Sequence, residues 1–179
     1  ISFYTFQTLS YTIDIYKGKI EPTKSALTFF TFVAFFPQLV AGPIERAGNL
    51  IPQFEAKRNF SYSQGTSGLK LILWGLFKKM VIADQLAVVV NAVYSSPENF
   101  NGWGIVFATF LFGFQIYCDF SGYSDIAIGT ARLFGIELMT NFQTPYFSTS
   151  FREFWHRWHI SLSTWFRDYL YIPLGGNRF

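Results

Sequence analysis

Charged residues are scarce in this chain of 179 residues. Lysine, arginine, aspartate and glutamate make up 14% of it, whereas hydrophobic residues make up 50% and aromatic residues 21%. Soluble domains usually carry about 25% charged residues. The shortage of charge argues against an ordinary soluble domain and favours a protein embedded in a membrane.

Other absences exclude further classes of function. Cys118 is the only cysteine, so an internal disulfide and a cysteine metal site are both excluded. The 14 basic and 11 acidic residues give a net charge of +3, and no basic run of the kind that tracks nucleic acid occurs. The bases stand instead at the ends of apolar stretches, which suits anchoring at a membrane surface.

Two windows without any charge predict membrane helices. Residues 25–44 and residues 99–118 each run for 20 residues, enough for a helix to cross a hydrocarbon core of about 30 Å. Pro37 and the pair Gly42-Pro43 interrupt the first window, which predicts a broken or re-entrant helix. Lysine and arginine residues occur in similar numbers in successive short loops, so their distribution does not decide the orientation in the membrane.

The rest of the chain completes an all-α, multi-pass membrane bundle. Residues 1–16 are interpreted as a truncated membrane helix and residues 47–68 as a surface loop or interfacial segment. Residues 69–94 are interpreted as a mostly apolar helix, interrupted by Lys70, Lys78, Lys79 and Asp84, which is either an interfacial helix followed by a span or one helix buried in a bundle. Residues 141–150 separate the second window from the histidine-containing end. Because the chain starts with Ile1 and stops at Phe179, we expect one partial transmembrane domain, 1–179, truncated at both ends.

The closing stretch "FREFWHRWHISLSTWFRDYLYIPLGGNRF" holds both histidines, His156 and His159, among many aromatic residues. On one continuous helix, a stripe about 60° wide contains Arg152, His156, His159 and Ser163, and the aromatic residues cover the opposite face. Such a stripe predicts either a polar cavity inside a bundle or an interfacial helix at headgroup level. Cysteine and carboxylates are missing from the stripe, so we expect no metal there.

A second unusual segment, "YCDFSGYSDIAIG", carries Asp119 and Asp125 directly after the second window. Its serines and glycines are interpreted as helix-packing residues. For the two aspartates, pairing with an arginine (Arg132, Arg152 or Arg157) and a catalytic role are both open. A serine–histidine–aspartate triad from Ser121, His159 and Asp119 can be drawn, but the serine lacks the strand-to-helix turn of a nucleophile elbow.

Five blocks of the sequence resemble one known family. They are "ISFYTFQTLSYTIDIYKG", "FFPQLVAGPIER", "WGLFKKMVIAD", "YCDFSGYSDIAIG" and "FWHRWHISLSTWFRDYLYIPLGGNR". In this order they resemble the membrane-bound O-acyltransferase (MBOAT) family, and within it the bacterial alginate O-acetyltransferase branch, which is related to the D-alanyl transfer proteins of teichoic acid synthesis. The resemblance extends along the whole chain.

The resemblance implies a multi-pass enzyme of the bacterial inner membrane whose helices surround a tunnel. Such an enzyme passes an acyl group, in this branch acetyl, from a thioester donor (acetyl-CoA or an acyl carrier) to a hydroxyl on the other side of the bilayer. The implied acceptor is a polysaccharide or a periplasmic or extracellular acetyltransferase partner. Neither a bound cofactor nor a nucleic acid is implied.

The resemblance also implies one site residue in this chain, His159, within "RWHIS". Its implied role is to orient the acyl group or to donate a hydrogen bond to the oxyanion. The second family histidine, the implied base, lies on a later helix beyond Phe179, so we expect the 179-residue chain alone to be inactive. His156 matches no family position and is interpreted as incidental to catalysis.

Two questions stay open from the sequence. A non-enzymatic transporter or channel subunit is the alternative class, and it would show paired broken helices in corresponding halves of the chain. Within the family, the acceptor could be alginate, another exopolysaccharide, peptidoglycan or teichoic acid.

Overall fold

A computed structural model describes residues 3–39 and 42–177, and none of these lies in a β-strand. Its α-helices are α1 Phe3–Tyr16, α2 Ala26–Ala34, α3 Ala47–Glu55, α4 Tyr62–Leu76, α5 Asp84–Ser95, α6 Gly102–Leu133, α7 Phe151–Arg157 and α8 Ile160–Phe166. Three 3₁₀ turns (Phe36–Gln38, Pro97–Asn99, Pro145–Phe147) and two π-helical segments (Phe77–Ala83, Arg167–Tyr171) complete the architecture. The all-α prediction is confirmed for these residues. The termini on which the expected truncation rests lie outside them.

Helix α6 confirms the helix predicted from the second uncharged window and extends it to Leu133. At about 1.5 Å per residue, its 32 residues measure about 48 Å, more than a hydrocarbon core requires. The side chain of Asn101 caps its first turn by accepting a hydrogen bond from the Gly104 N–H at 2.8 Å. Among the described residues, α6 is the one helix whose length and apolar composition suit a membrane crossing.

The first window is broken, as predicted. Helix α2 ends at Ala34, Phe35 is extended, and Pro37 lies in the following 3₁₀ turn. The Gln38 amide donates to the Phe32 carbonyl at 2.5 Å, which satisfies an acceptor at the end of the helix. Residues 40 and 41 of this window lie outside the described residues. At nine residues, α2 is shorter than a span, so the crossing by this window stays a prediction.

Residues 47–68 are mostly helical, so the surface loop is wrong for them, while the alternative of an interfacial segment stays a prediction. Helix α3 begins at Ala47, and α4 already begins at Tyr62. Ala47 and Leu50 are fully buried against Phe32 in the main core cluster. The apolar residues of α3 recur at helical spacing, so their burial outweighs the polar residues between them and the proline at position 52.

Helix α4, the π segment and α5 run on without interruption from Tyr62 to Ser95 and pack along α6. Glycines allow this contact: a Cβ atom at Gly75 would lie 2.5 Å from the Gly122 carbonyl oxygen, and one at Gly68 would lie 2.7 Å from that of Gly129. Gly68 meets Gly129, whereas Gly75, later on α4, meets Gly122, earlier on α6, so the two helices are antiparallel. Small residues at such crossings are typical of helix packing in membranes.

The two ends of the described chain lie together. The Trp165 indole N–H donates to the Phe6 carbonyl at 3.0 Å, and the Tyr169 hydroxyl donates to Asp14 Oδ2 at 2.5 Å. Helix α1 therefore supports the segment that follows the histidines.

Candidate functional site

The histidine-containing segment is not one continuous helix. Helix α7 ends at Arg157, His159 has left-handed backbone angles (φ 43°, ψ 54°), and α8 begins at Ile160. The predicted stripe is therefore wrong in one respect. Arg152, His156 and Ser163 line a common cleft, but the His159 ring lies against α6. Helical periodicity placed His159 beside them because it assumed an unbroken 3.6-residue repeat.

Asn141 holds the break in place. Its backbone carbonyl accepts from the Ile160 N–H at 2.9 Å, and its side-chain Oδ1 accepts from the Ser161 N–H at 3.3 Å. Its Nδ2 donates to the Ser124 hydroxyl on α6 at 3.3 Å. Asn141 is fully buried, and it satisfies the first backbone donors of α8, which have no partner inside the helix. It thereby determines where His159 lies.

His159 lies in an aromatic cluster formed by α6, α7 and the loop between them. Its ring meets the Phe120 ring edge-on, with centroids 4.7 Å apart and an interplanar angle of 89°, and lies 6.5 Å from Phe142. Phe142 packs on Trp158 at 5.1 Å. The members of this aromatic cluster are Tyr117, Phe120, Phe142, Tyr146, Phe154 and Trp158.

The aromatic surroundings keep His159 neutral. Its Nδ1 atom is buried and has no hydrogen-bond partner within the described part of the chain. Burial lowers the pKa of His159 from its ordinary value to about 4, because the charged ring would lose its hydration. At neutral pH the imidazole therefore carries one N–H and one free acceptor nitrogen. Such a ring can orient or hydrogen-bond a substrate oxygen.

A largely buried ion pair lies next to the aromatic cluster. The Lys78 Nζ lies 2.7 Å from Asp125 Oδ2 and donates to the Ser121 hydroxyl at 3.0 Å. The same ammonium lies 5.9 Å from the centre of the Tyr117 ring, which contacts Tyr146 at 5.4 Å. Lys78 belongs to the π segment Phe77–Ala83, and π segments in long helices are frequent at functional sites.

The arginine partners predicted for the two aspartates are wrong. Asp125 pairs with Lys78, as described above, and Asp119 Oδ1 lies 2.6 Å from the Lys79 ammonium. Both lysines come from the π segment, whose wider turn places neighbouring residues on the face toward α6. Two of the proposed arginines have other partners: Arg132 pairs with Glu137 at 2.9 Å and Arg157 with Glu153 at 2.6 Å.

The triad drawn from the sequence is not assembled. Ser121 accepts from Lys78 and Asp119 pairs with Lys79, while the ring contacts of His159 are with Phe120 and Phe142. For metals, residues 3–39 and 42–177 contain no group of three histidine, cysteine, aspartate or glutamate side chains that could hold an ion.

Sequence reasoning missed Asn141 and Lys78. In the sequence, Asn141 belongs to a polar spacer, and its position just before Phe142 in "TNFQTPYF" is its one distinguishing feature. Lys78 interrupts a mostly apolar helix in the sequence, a pattern that also fits an interfacial helix. Neither signal identifies a partner on another helix.

These features define a class: an all-helical protein with a membrane-length helix and a neutral histidine enclosed by aromatic side chains. The sequence model of the membrane-bound O-acyltransferase family matches residues 22–179, and the chain belongs to that family. The family resemblance noted in the sequence is thereby confirmed.

Curated relatives come from several branches of the family. The chain is 46% identical to the probable alginate O-acetylase AlgI of Pseudomonas putida, over 99% of this chain and 36% of that protein. It is 38% identical to the peptidoglycan O-acetyltransferase of Helicobacter pylori, over 99% of this chain and 39% of that protein. It is 29% identical to the teichoic acid D-alanyltransferase of Streptococcus thermophilus, over 97% of this chain and 43% of that protein. The chain thus spans well under half the length of these relatives.

Proposed function

We propose that the full-length protein is an O-acyltransferase that moves an acyl group, in the simplest case acetyl, from a thioester donor to hydroxyl groups of a cell-surface polysaccharide or of a partner acetyltransferase. The observation that carries this proposal is His159, a neutral imidazole with a free, buried Nδ1 in the aromatic cluster. The family match over residues 22–179 supports the same reaction.

The proposed chemistry has three requirements. The acceptor hydroxyl must lose its proton to a base, the thioester carbonyl oxygen must be stabilised as it becomes an oxyanion, and the thiol must leave. We assign the oxyanion or the acyl orientation to His159, whose single N–H suits donation to an oxygen. The base is assigned to a second histidine from the remainder of the protein. The donor, acetyl-CoA or an acyl carrier, is a substrate, and the scheme uses no bound cofactor.

The proposed setting is a multi-pass domain of the bacterial inner membrane, of which residues 1–179 form one part. Helix α6 supplies a crossing, and the glycine contacts between α4 and α6 suit helix packing in lipid. The ion pair of Lys78 and Asp125 is consistent with a protein-lined interior, since charges at membrane depth usually face one another or a cavity.

We propose a polysaccharide as the acceptor class, with alginate as the first candidate. The reason is the order of identities, 46% to the alginate O-acetylase, 38% to the peptidoglycan enzyme and 29% to the teichoic acid enzyme.

The test is a comparison of His159→Ala and Asn91→Ala in the full-length protein. Asn91 lies exposed on α5, away from the aromatic cluster, so its replacement controls for handling and yield. Loss of one oxyanion donor should lower the rate of acetyl transfer to alginate by about 10² to 10³. Transfer by His159→Ala at the rate of the Asn91→Ala control would refute the role of His159. If the full-length protein moved a solute across the membrane but formed no acetylated product, the transporter alternative would be favoured.

A further inference from the structure

The cleft lined by Arg152, His156 and Ser163 lies on the side of the histidine-containing segment opposite the aromatic cluster. It measures about 250 Å³ and is lined by Arg152, Trp155 and His156 from α7 and by Ser163, Thr164 and Arg167 from α8 and the residue after it. It therefore gathers two guanidinium groups and an imidazole on one side of the break. The family resemblance assigns none of these residues a role.

The positive charge in this cleft is only partly compensated by carboxylates. Within residues 3–39 and 42–177, Arg152 makes no hydrogen bond or ion pair with another side chain. The Arg167 Nε–H donates to Asp168 Oδ1 at 2.7 Å, which leaves the terminal N–H groups of Arg167 able to bind a ligand. The nearby carboxylate of Glu153 is occupied by Arg157 at 2.6 Å. The Ser163 hydroxyl donates to the Trp158 carbonyl, and the Thr164 hydroxyl donates to the Ile160 carbonyl. The cationic side chains are therefore the groups left to bind a ligand.

The cleft and His159 share the same short stretch of chain. Arg152 precedes His159 by seven residues, and Arg167 follows it by eight. The residues on either side of the break, His156 and Ile160, line the cleft, while the His159 ring is turned to the aromatic cluster. The cleft and the His159 ring therefore lie on the two sides of the same break in the chain.

We propose that this cleft binds a phosphate group, in the first place that of the thioester donor. Guanidinium groups bind phosphate through paired, charge-assisted hydrogen bonds, and an excess of positive charge in a concave site attracts such an anion. Both donor types named above carry phosphate next to the pantetheine arm that ends in the thiol. The assignment to the donor rests on the proposed acyl transfer, whereas a lipid headgroup offers the same phosphate chemistry.

The test compares two thiols that differ by one phosphate, 4′-phosphopantetheine and pantetheine. Their affinities for the full-length protein in neutral detergent are measured by titration calorimetry, which needs no turnover. We expect the wild type to prefer 4′-phosphopantetheine, and the double variant Arg152→Gln/Arg167→Gln to lose about 10- to 100-fold of that affinity. Lys17→Gln/Lys57→Gln removes the same charge at exposed positions outside the cleft and should keep the preference.

Further arms separate the possible failures. His159→Ala should still bind 4′-phosphopantetheine, so loss of transfer and loss of binding are distinguished. The variant Arg152→Lys, which retains the charge, controls for folding and should bind with intermediate affinity. If the double variant loses co-purified phosphatidylglycerol but keeps its affinity for 4′-phosphopantetheine, the phosphate is that of a lipid and the donor assignment is overturned. Equal affinity of the wild type for both thiols, with lipid unchanged, overturns the site.

Discussion

Replacement of Asn141 by alanine should destabilise the protein more than its small size suggests. The asparagine is fully buried, and its side chain bonds the Ser161 N–H and the Ser124 hydroxyl, each at 3.3 Å. Alanine would leave both of these buried groups without a partner, at a cost of about 1–3 kcal/mol each. The bond from Ile160 to the backbone carbonyl of residue 141 would remain. We therefore expect a loss of about 2–5 kcal/mol in the free energy of unfolding.

The loss should also reach the candidate site. Because Asn141 contacts the residues just after His159, its removal frees the break and lets the imidazole shift within the aromatic cluster. A misplacement of about 1 Å can lower a rate by about 10²-fold. The assay follows unfolding of the full-length protein in detergent by tryptophan fluorescence, alongside acetyl transfer. Asn91→Ala, at an exposed position, should change the free energy of unfolding by no more than about 0.5 kcal/mol.

A third variant separates hydrogen bonding from packing. Asn141→Leu keeps the branched shape of the side chain and leaves no cavity but makes neither bond, so it should be at least as unstable as Asn141→Ala. If the leucine variant were as stable as the wild type, the cavity rather than the hydrogen bonds would explain the alanine result. If Asn141→Ala behaved like Asn91→Ala in both assays, the positioning role of Asn141 would be refuted.

Four more predictions concern the packing, the electrostatics, the sequence windows and the activity of the 179-residue chain. Gly75→Ala should cost about 1–3 kcal/mol by forcing α4 and α6 apart, whereas Gly102→Ala, with open space around it, should not; equal melting temperatures would contradict the close contact. Because the pKa of His159 is about 4 when folded and near 6.5 when unfolded, stability should be highest above pH 6.5 and fall as the pH drops toward 4, and His159→Gln should flatten that slope. Cysteine labelling should find protected stretches inside residues 25–44 and 99–118, and free labelling at every position would contradict this. The 179-residue chain alone should show no acyl transfer above a blank, and turnover by it would contradict this expectation.

The sequence by itself determined the class of structure. Apolar windows without charge predicted helices, and those helices are present because a helix satisfies its own backbone hydrogen bonds wherever the chain is apolar. Pro37 predicted the break after α2, since proline lacks the N–H that a continued helix needs. The order of five blocks identified the family, which the match over residues 22–179 confirms.

Only the tertiary structure decided how the site is arranged. The break at His159 depends on Asn141, 18 residues earlier in the chain, and a periodic reading of residues 152–163 contains no trace of that partner. The lysine partners of Asp119 and Asp125 likewise come from another helix, through a π segment that shifts the phase of the side chains. Local sequence determines where a helix can form. Contacts between distant segments determine where it bends and which charges meet, because those choices satisfy buried polar groups that no neighbour in sequence can reach.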